Sequence, residues 1–121
     1  MGTQIFNINF DNLNKAFIQM KNEAGWDTED KLYWGFYFLD HDLKKLEKFA
    51  DKLKNDSFQI VEIRNTGDNL YLLHAEQYAI HSAESLFDQC HALANLAIEN
   101  DIEIFDGWDA GSMSINEGLA S

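Results

Sequence analysis

The chain has 121 residues, of which 45% are hydrophobic and 13% aromatic, so it is long and apolar enough for one folded domain and is not a disordered chain. Its single Cys90 excludes an internal disulfide, and no apolar run approaches the roughly 20 residues of a membrane span. The N-terminus lacks the layout of a signal peptide, so we expect a soluble cytoplasmic protein without membrane contact.

The charge of the chain is strongly acidic and unevenly distributed. The net charge is −12, with a sequence pI near 4.4. Residues 1–64 carry nine basic and eleven acidic side chains, whereas residues 65–121 carry ten acidic and no basic ones. Such a field repels phosphate backbones and attracts basic partners. High solubility is the simpler alternative interpretation of the same charge.

The first predicted elements are two helices that flank an aromatic strand. Apolar residues at spacings of three and four predict a helix over residues 10–24, with Gly25 as its C-terminal stop. The aromatic, uncharged sequence of residues 32–39 predicts a buried central strand. A second helix follows, capped by Asp40 or Asp42, with an apolar inner face and a stripe of lysines outside.

A hairpin, a long helix and a last strand complete the predicted elements. The sequence SFQIVEIR and residues 70–75 form two strands around the turn NTGDN. Ser82 is the predicted N-cap of a helix over residues 83–99, whose apolar face contains Cys90, so we expect this thiol to be buried. The sequence IEIFDGW, residues 102–108, is the last predicted strand.

The order of these elements predicts an α+β fold. After the first helix the order is strand, helix, strand, strand, helix, strand, which is typical of the ferredoxin-like βαββαβ sandwich. Right-handed crossovers favour an antiparallel sheet ordered 4-1-3-2, counted from the strand at 32–39. We therefore predict an N-terminal tail over residues 1–9, one domain over 10–111 that includes the extra N-terminal helix 10–24, and a frayed tail over 112–121.

The tripeptide Gly-Trp-Asp occurs twice, at residues 25–27 before the first strand and at residues 107–109 after the last. These strands are antiparallel neighbours in the predicted order, so we expect both copies at one end of the sheet. The simplest interpretation is that the indoles plug that end. The functional hypothesis is a patch in which tryptophans anchor a partner and carboxylates bind its Arg or Lys side chains. The candidate binding residues are Trp26, Asp27, Glu76, Asp106, Trp108 and Asp109.

A metal site or an enzyme is an alternative, built from His74, His81 and nearby carboxylates. The spacing of the two histidines matches no zinc signature, and the chain has no nucleophile elbow, phosphate-binding glycine loop or dinucleotide fingerprint. We therefore predict no catalytic residue and no cofactor.

A module on the open face of the sheet is a further alternative. Tyr33, Tyr37 and Tyr71 could face away from the helices, where RNA-recognition domains stack bases. Nucleic-acid affinity depends on cations, in which this chain is poor, so we expect no direct nucleic-acid contact. The same face could instead bind a small ligand or a second copy of the chain in a homodimer.

Three segments, AGWDTEDKLYWGFYFLD, LYLLHAEQYAIHSAESL and LANLAIENDIEIFDGWDAG, resemble the regulator of ribonuclease E activity B family. The resemblance covers roughly residues 10–111, and the closing Asp106-Gly107-Trp108 is its most specific element. It implies an acidic ferredoxin-like protein that is not an enzyme. Such a protein would bind an endoribonuclease by protein–protein contact and modulate its activity on RNA. We therefore expect the partner to be a basic protein segment.

Overall fold

The computed structural model describes residues 2–6, 8–26 and 30–110. Within these residues the elements are β1 (Gln4–Ile5), α1 (Phe10–Ala24), β2 (Leu32–Asp40), α2 (Leu43–Asn55), β3 (Gln59–Asn65), β4 (Tyr71–Ala79), α3 (Ala83–Glu99) and β5 (Ile104–Ala110). The predicted α+β class is confirmed. The predicted tail over residues 112–121 lies outside the described residues. None of the helices in the described ranges is long and apolar enough to cross a membrane.

The helix ends are fixed by side-chain and glycine caps. The side chain of Asn9 caps α1, which ends at Gly25 with φ 75° in the left-handed region. Asp42 accepts from the third residue of α2, so it is the cap, whereas Asp40 has another role. Ser82 caps α3 in a reciprocal capping box, as predicted.

The five described strands form one sheet in the order β1-β5-β2-β4-β3. β2 lies between β5 and β4 and is antiparallel to both, and β4 is antiparallel to β3. β1 pairs in parallel with β5, so the sheet is mixed and not wholly antiparallel as predicted. The segment predicted as a tail over residues 1–9 therefore contributes an edge strand. Two residues carry no periodicity, which is why no pattern indicated this strand.

The two strands that contain the predicted site residues run further than expected. β4 continues to Ala79 rather than ending at residue 75, and β5 continues to Ala110. The pairing of β2 with β5 shifts between Tyr37 and Phe38, which leaves Asp106 as the extra residue of a β-bulge. Side chains that were expected at the end of the sheet consequently lie within strands, where successive residues alternate between the two faces.

The helices cover one face of the sheet and bury its aromatic side chains. Trp34, Phe36 and Phe38 alternate along β2 and are fully buried. Phe17 of α1 stacks on Trp34 with centroids 5.9 Å apart, and Phe49 of α2 packs edge-on against Phe38 at 4.9 Å. Aromatic pairs of this kind contribute about 0.5–1.5 kcal/mol each beyond the burial of their area. The core therefore lies on this side of the sheet.

α3 completes the helical layer. Its Phe87 packs edge-on against Phe10 of α1, with centroids 5.5 Å apart. Cys90 is fully buried in the same core, which confirms the prediction for this thiol. Burial raises the pKa of Cys90 to about 12, so the thiol stays protonated at neutral pH and is a poor nucleophile.

Candidate functional site

The face of the sheet opposite the helices carries a polar cluster built by three neighbouring strands. Residues paired across strands share a face, and the register places Gly35 of β2 between Asp109 of β5 and Glu76 of β4. Two residues further along β2, Tyr37 is paired with His74 of β4. We call this set the Gly35 cluster: Gly35, Tyr37, His74, Glu76 and Asp109.

Short contacts join the side chains of the cluster. The Tyr37 hydroxyl donates to Asp109 Oδ2 at 2.7 Å, and the Tyr37 ring stacks on the His74 imidazole with centroids 4.5 Å apart. His74 Nε2 lies 3.9 Å from Glu76 Oε2. Burial and the hydrogen bond to Asp109 raise the pKa of the Tyr37 phenol above its usual value. Tyr37 is therefore a hydrogen-bond donor throughout the physiological pH range.

The absence of a side chain at Gly35 allows the cluster to form. A Cβ at this position would lie 2.5 Å from Asp109 Oδ1 and 3.0 Å from His74 Nε2. The first distance is too short for a methyl group and the second is tight, so a larger residue would displace the Asp109 carboxylate and push against His74. The same two distances mean that Oδ1 and Nε2 are at most 5.5 Å apart, which is their sum.

Two atoms of the Gly35 cluster are buried without a hydrogen-bond partner, namely His74 Nε2 and Asp109 Oδ1. Only 8% of His74 and 5% of Glu76 is exposed. A buried polar atom left without a partner costs about 1–3 kcal/mol. Such atoms therefore point to a function more than to a contribution to stability.

The surroundings of the cluster are acidic. Glu62 of β3 is paired with His74, and Asp106 lies at the bulge of β5; both are exposed. Arg64 contacts Glu62, with Nε and Oε2 3.4 Å apart. Lys31 places its ammonium 4.9 Å from the ring centroid of Tyr78, next to the cluster. Carboxylates consequently outnumber cations in the described part of this region.

The indoles of the two Gly-Trp-Asp copies lie on the helical side of the sheet. Trp26 and Trp108 each pack against Trp34, with centroids 5.8 and 6.2 Å apart. Trp26 is buried with 8% of its area exposed, whereas Trp108 is half-buried. The arrangement fits the interpretation that the indoles plug the sandwich, because Trp34 lies in contact with both.

The structure does not bring the predicted binding residues that it describes together as one patch at the end of the sheet. Trp108 and Asp109 are consecutive in β5, so their side chains lie on opposite faces of the sheet. Asp106 is exposed at the bulge, away from the strand end. Glu76 and Asp109 share the Gly35 cluster. Asp27 lies outside the described residues.

The alternative metal ligands His74 and His81 are also separated. The His81 ring packs edge-on against Trp34 at 5.2 Å, and its two nitrogens lie 2.9 Å from Ser85 Oγ and Gln77 Oε1. Burial lowers the pKa of His81, which favours its neutral form. Within residues 2–6, 8–26 and 30–110, no group of three or more His, Cys, Asp or Glu side chains could hold a metal ion.

Sequence reasoning missed Gly35 as a member of a site, and it named Tyr37 only as part of the alternative module on the open face of the sheet. A usable signal was present, because glycine in the middle of a strand is unfavourable and marks a close approach of other groups. The alternation of Gly35 and Tyr37 with the buried aromatic residues of β2 also places them on the face away from the core.

The comparison with protein families covers most of the chain. A family model described as regulator of ribonuclease activity B matches residues 11–110. The match extends from α1 to the end of β5 and includes every residue of the Gly35 cluster. A search of the curated proteins found no match. The chain belongs to the regulator of ribonuclease activity B family.

Proposed function

We propose that this chain is a non-enzymatic regulator that binds a basic segment of an endoribonuclease, or of its scaffold, and so modulates RNA processing in the cytoplasm. Regulation of ribonuclease activity is the function of the family. Direct binding of a basic segment is our extension of it. We also propose the ferredoxin-like description for the unit from β2 to β5, with α1 as an addition at its N-terminal side.

The observation that carries the proposal is the acidic face around the Gly35 cluster in a chain of this family. The chain has a net charge of −12 and no basic residue after Arg64. Glu62, which is paired with His74 of the cluster, and Asp106 at the bulge of β5 are both exposed, and Asp109 has a carboxylate oxygen without a hydrogen-bond partner. Acidic surfaces steer basic partners and suppress anionic ones such as RNA. Protein–protein contact therefore explains the charge better than contact with the RNA substrate.

An enzyme or a small-ligand protein is the second candidate, and the Gly35 cluster itself favours it. Buried histidine, tyrosine and carboxyl groups in contact are the groups from which general acids and bases are drawn. His74 is buried and stacks on Tyr37, and the Tyr37 hydroxyl donates to Asp109, although Tyr37 and Asp109 are only partly buried. The family match to a regulator makes this candidate second.

The test is a cleavage assay with the endoribonuclease of the same organism, a labelled RNA and increasing amounts of the purified chain. We expect cleavage to slow with added chain at about 50 mM salt and to recover at about 300 mM, because charge-steered contacts are screened. A truncated enzyme that lacks its basic segment is the control and should not respond. Unchanged cleavage at low salt would contradict the proposal. Turnover of RNA by the chain alone would support the second candidate.

A further inference from the structure

We propose that the Gly35 cluster receives one cationic side-chain head group of the partner, an ammonium or a guanidinium, between His74 Nε2 and Asp109 Oδ1. The identity of the partner rests on the proposed function. The site itself is argued from the geometry of the cluster.

The two unpartnered atoms can both accept a hydrogen bond. Asp109 Oδ2 already accepts from Tyr37, so Oδ1 retains its acceptor capacity and its share of the negative charge. His74 Nε2 accepts in the tautomer that carries the ring proton on Nδ1. The two atoms are at most 5.5 Å apart, from the 2.5 Å and 3.0 Å that separate them from the Cβ position of Gly35. One donor nitrogen at about 2.8 Å from each atom would span such a gap.

The charge of the cluster selects a cation. Glu76 brings a second carboxylate to 3.9 Å from His74 Nε2. A phosphate or carboxylate ligand would meet these like charges, which excludes an anionic guest. A metal ion is disfavoured because the described residues offer no group of three ligating side chains. A cationic N–H donor satisfies both atoms with charge-assisted hydrogen bonds.

The shape of the face also suits the stem of a basic side chain. Gly35 and Gly107 lie in neighbouring rows of the same face, and the space that a side chain at Gly35 would take is occupied by Asp109 Oδ1 and His74 Nε2. Next to the cluster, the rings of Tyr33 and Tyr78 lie 4.7 Å apart, and 47% of Tyr78 is exposed. The chain's own Lys31 lies over the Tyr78 ring at 4.9 Å, which shows that cations are accommodated on this face.

The site is tested with three short peptides of equal length, one rich in arginine, one rich in lysine and one with glutamine at the same positions. Binding is measured by fluorescence anisotropy, and the Gly35 amide and His74 imidazole are followed by NMR. Asp109→Asn removes the proposed charge, and Asp106→Asn is the matched control, since both residues lie in β5. We expect Asp109→Asn to weaken binding about tenfold or more and Asp106→Asn by less than about threefold.

The comparison of the basic peptides identifies the head group, and the glutamine peptide should not bind. Equal losses for Asp109→Asn and Asp106→Asn would overturn the site, because they would show a diffuse acidic field. Binding that leaves the Gly35 and His74 signals unmoved would also overturn it. Circular dichroism checks the fold of each variant. If Asp109→Asn does not fold, His74→Gln tests the same site from β4, with the same expected loss.

The two proposals fail in different ways. If the chain inhibits the endoribonuclease and Asp109→Asn inhibits it equally well, the proposed function stands and the site is wrong. If the chain has no effect on the endoribonuclease but its peptide binding distinguishes Asp109→Asn from Asp106→Asn, the site stands and the proposed function is wrong.

Discussion

Asp40 and Asp109 show two different treatments of a carboxylate in the same sheet. Asp40 is 1% exposed and accepts from the backbone N–H groups of Asp42 at 2.7 Å and Glu103 at 3.0 Å, and from Lys45 Nζ at 3.0 Å. Asp109 has one phenolic donor on Oδ2 and none on Oδ1. A carboxylate with donors on both oxygens holds parts of the fold together, whereas a carboxylate with one oxygen lacking a donor can still accept from a partner.

The contacts of Asp40 join three parts of the chain. They connect the last residue of β2 with the first turn of α2 and with the segment that leads into β5. Burial alone would lower the pKa of Lys45, but the hydrogen bond to Asp40 and its charge raise it on balance. We therefore expect a substitution at Asp40 to lower the free energy of unfolding more than the same substitution at Asp109.

The sharpest test of the comparison is one substitution, Asp to Asn, made separately at Asp40 and at Asp109. Asp40→Asn turns an amide towards donors and removes the counter-charge of Lys45, so we expect a loss of about 3 kcal/mol in the free energy of unfolding. Asp42→Ala is the control, with about 1 kcal/mol for a lost helix cap. Urea unfolding measures both. If Asp40→Asn loses no more stability than Asp42→Ala, Asp40 contributes no more to the fold than a helix cap does.

The second prediction concerns the close approach at Gly35. Gly35→Ala places a methyl group 2.5 Å from Asp109 Oδ1, so we expect a loss of about 1–3 kcal/mol in stability. Combining it with Asp109→Ala should restore part of that loss, since the clash is removed. Urea unfolding of the four proteins in this double-mutant cycle gives the coupling. Strictly additive losses would show that the methyl group clashes with something else.

The third prediction is the counterpart of the first. Asp109→Asn removes a buried charge whose Oδ1 lacks a partner, and the amide oxygen can still accept from Tyr37. We expect the free energy of unfolding to change by less than about 1 kcal/mol, or to rise. A loss as large as that of Asp40→Asn, in the same urea experiment, would make Asp109 a structural residue.

The smallest expected effect is a dependence on alkaline pH. The pKa of Tyr37 in the folded chain is raised above its usual value of 10.0 by burial and by Asp109. The contribution of Tyr37 to stability is therefore fully present below pH 10 and is lost as the pH rises towards the folded-state pKa. Tyr37→Phe should lose less stability over that interval than the unaltered chain. Thermal melts at rising pH measure this, and parallel curves for the two proteins would contradict it.

Local signals in the sequence predicted the helices well, because each helix combines an apolar face with a cap. The caps Gly25 and Ser82 and the burial of Cys90 followed from single residues in periodic segments. The candidate site was harder, because it depends on register. His74 and Glu76 are polar residues that make the second half of β4 resemble a loop, which concealed their place inside the strand.

Alternation along β5 places Trp108 and Asp109 on opposite faces of the sheet, and the bulge at Asp106 decides which of the two faces the helices. A single extra residue changes which face each later side chain occupies, and no local pattern in the sequence of β5 predicts this bulge. Prediction from topology placed Trp26 and Trp108 near each other in the fold, and both do contact Trp34. Topology alone could not assign the tryptophans to the helical face of the sheet and the carboxylates of Glu76 and Asp109 to the opposite face.

The short strand β1 has a consequence for self-association. By pairing with Ile104 and Phe105, Gln4 and Ile5 occupy the hydrogen-bonding edge of β5 at its beginning. The edge at the other side, β3, is interrupted by a shift in pairing between Ile60 and Glu62. Blocked and irregular edges discourage edge-to-edge strand pairing between chains, which leads to fibres. The open face of the sheet can therefore stay available to a partner without promoting aggregation through the sheet edges.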